Sequence, residues 1–362
     1  MNTKSTADET TTRAWVDIDL GALLRNGEAL VKHARVPLLP MVKADGYGLG
    51  AVPVMRALDA IGPYGWGVAT IAEGRELRDA GATKPVIVFT PVLPVELPKL
   101  RAAKLVPTLS SAETIAAWIE SGGGPWHLAI DTGVSRAGVR WDSIGTVLDA
   151  VRAAPPEGAF THFHSAELDD GSMQVQEQRF RDAVAALPAR PALVHADNSA
   201  AIVRRTPSPW NLVRPGVFLY GVGSGPGAAI QPEPVAHLRA PIVEIRALNA
   251  GDSVGYDATW RAARPSRVAT LALGYADGYR RSLGNKAEAL VHGRRVPVAG
   301  TVMMDMTILD VTDIPCAVGD SATLFGTDTG ELLTVEAVAA RAALSPYELL
   351  TGLRQRVTRI PR

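Results

Sequence analysis

Short apolar runs alternate with longer segments of helical periodicity over the first two-thirds of the chain. In the longer segments, apolar residues recur three or four positions apart, which is typical of amphipathic helices. Strand–helix alternation over about 200 residues predicts a parallel sheet, and eight repeats favour a closed (β/α)8 TIM-type barrel. The eight runs read "VPLLPMVKA", "YGWGVAT", "KPVIVFT", "AKLVPTLS", "PWHLAIDTG", "GAFTHFHS", "PALVHADNS" and "NLVRPGVFL".

A doubly wound open sheet is the alternative architecture for such a pattern. The glycine-rich turn in "MVKADGYGLG", residues 41–50, could then bind a dinucleotide. It lacks the G-x-G-x-x-G spacing, and no acidic partner follows at the expected distance. The turn is therefore not a dinucleotide-binding fingerprint.

Polar and charged side chains stand where several of the predicted strands end. In a barrel these carboxyl ends converge on one mouth, where barrel enzymes place their chemistry. One such residue is readily explained as a helix cap or a turn former, but a series of them predicts a site. The residues are Lys43 near the end of the first run, Asp131 near the end of the fifth with Arg136 just after it, His162 in the sixth, Asn198 and Ser199 at the end of the seventh, and Arg214 in the eighth.

The pattern changes after about residue 240, where strands with Gly and Asp turns follow one another without intervening helices. One amphipathic stretch, "TVEAVAARAALSPYELLTGL", lies near the end. We therefore predict a polar N-terminal tail over residues 1–13, a barrel over 14–240 and a mainly β C-terminal domain over 241–362.

Composition narrows the class of protein. Lys and Arg together number 37, as do Asp and Glu, so no net field attracts nucleic acid or an anionic membrane. The single Cys316 excludes an internal disulfide and a cysteine-rich metal site, so we expect no bound metal. The N-terminus lacks the apolar core of a signal peptide, and no apolar window is long enough to span a membrane. These features predict a cytoplasmic enzyme or binding protein.

Seven motifs occur in an order that resembles one enzyme family. They are "VKADGYGLG", "DTGVSR", "THFHSAE", "HADNSA", "RPGVFLYG", "GYADGYRR" and "MMD". Over the span from Trp15 to Arg359, the chain resembles the pyridoxal 5'-phosphate (PLP) dependent alanine racemases. The resemblance implies an isomerase that supplies D-alanine for peptidoglycan, built as a barrel with a C-terminal β domain.

The resemblance also implies how the cofactor is held. Lys43 corresponds to the lysine that binds the PLP aldehyde covalently, and burial at a barrel mouth would lower its pKa and free its amine. Arg214 corresponds to the arginine that faces the pyridine nitrogen. The other residues that the resemblance places around the cofactor are Tyr47, His162, Asn198, Ser199, Gly216, Val217 and Tyr347.

Racemisation removes a proton from one face of Cα and returns it to the other, which two opposed bases achieve. By resemblance these are Lys43 and Tyr256, and we expect positive charge on His162 and Arg136 to make Tyr256 a better base. Arg136 also binds the substrate.

In the family, several site residues come from the partner subunit, which implies an obligate homodimer; the matches are Tyr256, Tyr275, Met304 and Asp305. An entrance pair, Arg281 with Glu167, also matches.

The chain departs from the family pattern near the substrate. Ala129 stands where relatives commonly carry a carbamylated lysine that supports the arginine corresponding to Arg136. We expect a bound chloride or a nearby acid to replace that negative charge. The other departures are Val134, His164, Gly255 and Asp257.

These departures leave alternatives open. One is a racemase of another, or a broader, set of amino acids. A dehydratase or aldolase of the same cofactor class would need a metal cluster in the C-terminal domain, which offers only His292 and Cys316. A non-catalytic PLP-carrying barrel would need neither the C-terminal domain nor Tyr256.

Overall fold

The computed structural model describes residues 13–362, so residues 1–12 of the predicted polar tail lie outside the described residues. The chain divides into two compact units. We call residues 23–219 with 223–233 the barrel unit, and residues 13–22, 220–222 and 234–362 the β unit.

The strands, in chain order, are β1 (Trp15–Ile18), β2 (Trp66–Val68), β3 (Val86–Val88), β4 (Val106–Leu109), β5 (His127–Asp131), β6 (Val139–Arg140), β7 (Gly158–Phe160), β8 (Leu193–His195), β9 (Ala236–Leu248), β10 (Ser253–Val254), β11 (Trp260–Arg261), β12 (Ser266–Leu271), β13 (Glu288–Val291), β14 (Arg294–Pro297), β15 (Thr307–Asp310), β16 (Ser321–Asp328), β17 (Glu331–Leu333) and β18 (Thr358–Pro361).

The helices are α1 (Leu20–Ala34), α2 (Lys43–Tyr47), α3 (Ala51–Leu58), α4 (Ile71–Asp79), α5 (Leu97–Ala102), α6 (Ala112–Glu120), α7 (Leu148–Ala153), α8 (Ser172–Ala185), α9 (Ser199–Arg204), α10 (Val335–Arg341) and α11 (Pro346–Thr351). Local chemistry explains where several begin. Thr70 caps α4 in a capping box with Glu73, and Ser111 caps α6 by accepting a hydrogen bond from the Thr114 amide.

The barrel unit contains a curled parallel sheet in the order β2-β3-β4-β5-β7-β8, with β6 added beside β5. Parallel bridges join Met41 to Gly67, Leu38 to Val213 and Asn198 to Arg214. Segments 38–41 and 213–214 thus supply the remaining two strand positions and complete the circle. The predicted (β/α)8 barrel is confirmed, and its mouth is the end at which the strands finish.

The β unit is built on the long strand β9, which pairs with β1, β12 and β16 in antiparallel fashion. Strand β1 also pairs in parallel with β18, so residues from both ends of the chain lie in one sheet. The mainly β character predicted for the C-terminal region is confirmed. The predicted domain boundaries at residues 14 and 240 stay predictions; contacts place residues 13–22 and 234–240 in the β unit.

Candidate active site

Lys43 lies at the barrel mouth, directly after the segment that pairs with β2. It opens α2, a single turn in which Ala44, Asp45, Gly46 and Tyr47 all have positive φ. A left-handed residue other than glycine costs about 1–2 kcal/mol. The turn is held by hydrogen bonds from the Gly46 amide to the Val42 carbonyl at 2.9 Å and from the Gly50 amide to the Asp45 carbonyl at 2.8 Å.

Glu73, at the start of α4, fastens this turn to the barrel. Its Oε1 accepts a hydrogen bond from the Ala44 amide at 2.8 Å, and its Oε2 accepts one from the Ala69 amide at 2.7 Å. The carboxylate therefore fixes the backbone beside Lys43. Sequence analysis did not select Glu73 for the site, although the capping pattern "TIAE" was visible.

The mouth is rich in positive charge, and this changes the pKa of Lys43. Burial lowers that pKa first and the Arg136 charge lowers it further, Glu73 opposes the change, and Arg214 adds a smaller lowering. The neutral amine is therefore more accessible at neutral pH than in an exposed lysine. A neutral amine can attack an aldehyde or accept a proton.

Arg214 is buried and makes four hydrogen bonds. Its Nη1 donates to Nδ1 and to the carbonyl oxygen of His195, both at 2.8 Å. Its Nη2 donates to the Thr161 carbonyl at 2.6 Å and to the Ala196 carbonyl at 3.1 Å. Burial lowers the pKa of Arg214 to about 10, so it stays a cation at neutral pH. Within residues 13–362 its Nε–H donates to no acceptor.

The predicted positive charge on His162 is wrong. Burial first, and then the charges of Arg214, Arg136 and Lys43 in that order, together lower the pKa of His162 to about 3. The imidazole is therefore neutral at physiological pH. Any positive charge supplied from this part of the mouth comes from the arginines and not from His162.

A small cradle of polar atoms forms where α9 begins. The Ser199 hydroxyl accepts a hydrogen bond from the Gly216 amide at 2.9 Å and one from the Phe218 amide at 3.4 Å. A Cβ at Gly216 would stand 2.4 Å from the Tyr47 hydroxyl, so only glycine fits. Asn198 caps α9 through the Ala201 amide at 3.1 Å. The structure thus brings together five predicted residues: Tyr47, Asn198, Ser199, Gly216 and Val217.

Arg136 is exposed, in the loop that follows β5. Asp131 shapes this loop by accepting hydrogen bonds from the Gly133 and Ser135 amides, each at 3.0 Å. Ala129 is buried within β5. No acid of the described chain pairs with Arg136, so the expected anion beside it stays a prediction.

The remaining predicted residues lie in the β unit, with large exposed side chains. Tyr256 is 67% exposed at the turn between β10 and β11, and Met304 is 54% exposed. The Tyr275 amide donates to the Met303 carbonyl and the Ala276 amide to the Met304 carbonyl, both at 2.9 Å. Tyr275, Met304 and Asp305 are therefore neighbours. Tyr347, in α11, is also exposed.

The predicted entrance pair is divided between the units. Arg281 Nη2 lies 3.8 Å from Oδ2 of Asp257, one of the positions that depart from the family pattern. Glu167 lies in the barrel unit, and its carbonyl accepts a hydrogen bond from Arg204. In the part of the chain that the structure describes, no three His, Cys, Asp or Glu side chains cluster as metal ligands, and no helix is long and apolar enough to cross a membrane.

Comparison with known proteins adds independent evidence. Residues 18–224 match the model of the alanine racemase N-terminal domain, and residues 235–361 match that of the C-terminal domain. The alanine racemase of Sorangium cellulosum is 37% identical over 89% of this chain and 90% of the relative. That of Geobacter sp. strain M21 is 38% identical over 95% of this chain and 97% of the relative.

Solved structures agree with the sequence relatives. The alanine racemase from E. faecalis superposes with a TM-score of 0.90 at 30% identity, covering 96% of this chain and 98% of that one. The enzyme from Bartonella henselae, solved with covalently bound pyridoxal phosphate, gives 0.89 at 28% identity, covering 97% of this chain and all of that one, 100%. The chain belongs to the alanine racemase family.

Proposed function

We propose that this protein is a PLP-dependent isomerase that interconverts L-alanine and D-alanine. The observation that carries the proposal is the barrel mouth, where a lysine with a lowered pKa lies among cations and where strand ends also form a polar cradle. Such a mouth suits a ligand with a phosphate and a carboxylate. Relatives that match nearly the whole chain are named alanine racemase, which supports alanine as the substrate.

The residues present fit PLP. Lys43 would bind its aldehyde, and Tyr47, Ser199, Gly216 and Val217 would surround its phosphate, with Asn198 and Tyr347 nearby. The Nε–H of buried Arg214 is a donor without an acceptor in the described chain, which suits a ring nitrogen that carries no proton. Neutral His162 would lie beside the ring. When bound, PLP supplies the electron-withdrawing ring that acidifies the Cα–H of the amino acid.

The proton transfers are assigned to Lys43 and to Tyr256 of the partner subunit. The lowered pKa of Lys43 lets its amine accept a proton from one face of Cα and return it. Tyr256 would serve the opposite face, and Arg136 would bind the substrate carboxylate. A tyrosine with an ordinary pKa near 10 is a poor base. The arginines of the mouth would stabilise its ionised form.

The same assignment implies a homodimer. Tyr256 is exposed in this chain, so we assign its role as a base to the site of another subunit. Among its described residues, the β unit presents five exposed aromatic and methionine side chains: Tyr256, Tyr275, Met304, Met306 and Tyr347. Exposed aromatic and methionine side chains are enriched at protein interfaces. We assign Tyr275, Met304 and Asp305 to the partner's site. Residues 14–240 would then form the PLP-binding barrel, and 241–362 the domain that supplies the second base, in a cytoplasmic enzyme.

Hydrogen exchange at Cα tests the proposal directly. The purified protein, loaded with PLP, is incubated in deuterium oxide with L-alanine. The two enantiomers are then separated, and the deuterium content of each is measured by mass spectrometry. We expect deuterated D-alanine, and we expect none from Lys43→Ala. The control Lys99→Ala, an exposed lysine of α5, should keep the activity.

Two outcomes would contradict the proposal. Exchange with another amino acid but not with alanine would assign a different substrate to the same chemistry. Lack of exchange with every L-amino acid, in protein that retains reducible covalent cofactor, would indicate a protein that carries PLP without racemising.

A further inference from the structure

A line of polar side chains runs through the barrel from its mouth to the opposite end, with Arg214 and two histidines buried and Glu157, at the far end, about one-third exposed at 34%. At the mouth, Arg214 Nη1 lies 2.8 Å from His195 Nδ1. The other ring nitrogen of His195, Nε2, lies 2.8 Å from His127 Nδ1. His127 Nε2 then lies 3.7 Å from an oxygen of Glu157, which also accepts a hydrogen bond from Tyr64 at 3.1 Å. None of these contacts is part of the proton transfers proposed above.

The direction of this line is determined by its first member. A guanidinium has donors and no acceptor, so His195 Nδ1 must accept and the His195 proton must be on Nε2. That proton is donated to His127 Nδ1, which places the His127 proton on Nε2. The last N–H therefore lies on the side of the Glu157 carboxylate, whose nearer oxygen is 3.7 Å away, a charge contact and not a hydrogen bond. Every dipole in the line has its negative end towards Arg214.

The surroundings of the line are apolar. Both imidazoles are fully buried, and the Phe160 ring stacks on His195 with a centroid distance of 5.3 Å. The Arg214 guanidinium also lies over Phe160. Electrostatic interactions are stronger in such a dry interior than in water. The carboxylate at one end can therefore act on the cation at the other.

The sequence makes room for this arrangement at Gly158, the first residue of β7. A Cβ at this position would stand 2.4 Å from His127 Nδ1, the atom that accepts the hydrogen bond from His195. Burial lowers the pKa of both histidines, so both remain neutral. His127 and, to a smaller extent, the Tyr64 hydroxyl lower the pKa of Glu157, although burial raises it. The line thus ends in an anion at neutral pH.

We propose that Glu157, acting through His127 and His195, is a positioning residue that orients Arg214 and keeps its Nε–H pointed at the ligand. The inference rests on the proposed function only in taking that ligand to be the PLP ring nitrogen. Without the carboxylate, Arg214 still requires His195 Nδ1 to accept, but the His127 Nε2–H no longer faces a negative charge. The two imidazoles are then held less firmly, and the guanidinium would shift.

The first test is a measurement on the unaltered holoenzyme. Nitrogen NMR of protein labelled with ¹⁵N-histidine reports the tautomer of each ring, with assignment from His127→Asn and His195→Asn. We expect both rings to be neutral with the proton on Nε2. A proton on Nδ1 of either ring, or a doubly protonated ring, would overturn the proposal.

The second test uses Glu157→Gln, with Glu120→Gln, an exposed carboxylate at the end of α6, as the matched control. We expect Glu157→Gln to change the His195 signals and the absorption spectrum of the bound cofactor. We expect kcat to fall roughly ten-fold, as for the loss of an outer-shell partner. The KM for alanine should change less than about two-fold, because uniform binding is retained. Tyr64→Phe should act in the same direction with a smaller effect.

The outcomes separate this inference from the proposed function. If the His195 signals and the cofactor spectrum are as unchanged in Glu157→Gln as in the control Glu120→Gln, Glu157 has no positioning role. If the tautomers and the spectral change are as expected but alanine is not racemised, the proposed substrate is wrong and the positioning line stands.

Discussion

Burial has different chemical consequences for Lys43 and Arg214, two cations of the same barrel mouth. It lowers the pKa of Lys43, so the neutral amine is more available to accept a proton than that of an exposed lysine. It lowers the pKa of Arg214 only to about 10, so the guanidinium donates hydrogen bonds and never a proton at neutral pH. One residue can carry out proton transfer, and the other can only bind and orient.

Neutral His162 predicts a pH dependence of stability. Between pH 6.5 and about 3, His162 is protonated in the unfolded state but not in the folded state. The free energy of unfolding therefore falls as the pH is lowered through this window. At pH 5 the loss is about 2 kcal/mol. Urea unfolding at pH 7 and pH 5 measures the sum of this loss and those of buried His127 and His195, whose pKa values are also lowered, so the share of His162 is the part that its substitution removes. His162→Gln should reduce the difference in the free energy of unfolding between the two pH values. The control His164→Gln, at an exposed neighbour, should leave it unchanged. Equal effects of the two substitutions would show that another group is responsible.

At the scale of elements, the left-handed turn α2 and the loop of Tyr275 are both held by polar contacts at short range. Gly46 in α2 and Gly48 directly after it have positive φ, which glycine adopts without strain. In the other loop, buried Asp277 accepts a hydrogen bond from the Gly274 amide at 2.8 Å. Each element presents a proposed functional side chain, so its shape determines where that side chain lies.

Gly46→Ala tests the shape of α2. Alanine at φ +59 would be strained, and its Cβ would stand 3.1 Å from the Ala51 amide nitrogen. Gly62→Ala is the matched control, since its φ is +63 but no atom lies within 4 Å of the new Cβ. We expect the control to lose about 1 kcal/mol of stability and Gly46→Ala to lose more, with less covalently bound cofactor. Equal losses in urea unfolding would show that contact at Gly46 is unimportant.

Asp277→Asn tests the Tyr275 loop. The Asp277 carboxylate pairs with Arg13 at 3.0 Å and with Arg356 at 3.1 Å, and Arg356 also reaches Asp305 at 2.7 Å. Both arginines are partly exposed, so we expect a loss of roughly 2 kcal/mol, together with a raised KM for alanine.

Asp313→Asn is the control for that experiment. It removes an exposed pair with Arg264 and should cost less than about 1 kcal/mol. Calorimetry and steady-state kinetics give the two readouts. An unchanged KM in a destabilised Asp277→Asn would limit Asp277 to a structural role.

At the scale of the whole molecule, the proposed site needs two copies of the chain. Lys43→Ala and Tyr256→Phe should each be inactive as homodimers for different reasons. A two-fold dimer that contains one chain of each kind has one intact site out of two. Mixing equal amounts, with subunit exchange, should therefore restore about a quarter of the sites. Mixed dimers that form but remain inactive would show that Lys43 and Tyr256 serve the same subunit's site.

Much of the fold and of the barrel mouth followed from the sequence. The alternation of apolar runs and helical periodicity is a local signal, and it was enough for a barrel whose strands end at Lys43, His162 and Arg214. The glycines in "DGYGLG" indicated a sharp turn. They did not indicate that Ala44, Asp45 and Tyr47 share its left-handed backbone, because alanine and tyrosine have no preference for that region.

The tertiary structure decided what depends on residues far apart in the chain. The pairing of β1 with β9 and β18 joins segments more than 200 residues apart, which no local pattern encodes. The contact between His127 and His195 joins the interior faces of two strands, although each histidine was visible within an apolar run. Likewise, the residue type of His162 was known from the sequence, but its neutral charge state was not. A side chain's pKa depends on burial and on the charges folded around it, and these exist only once the barrel closes.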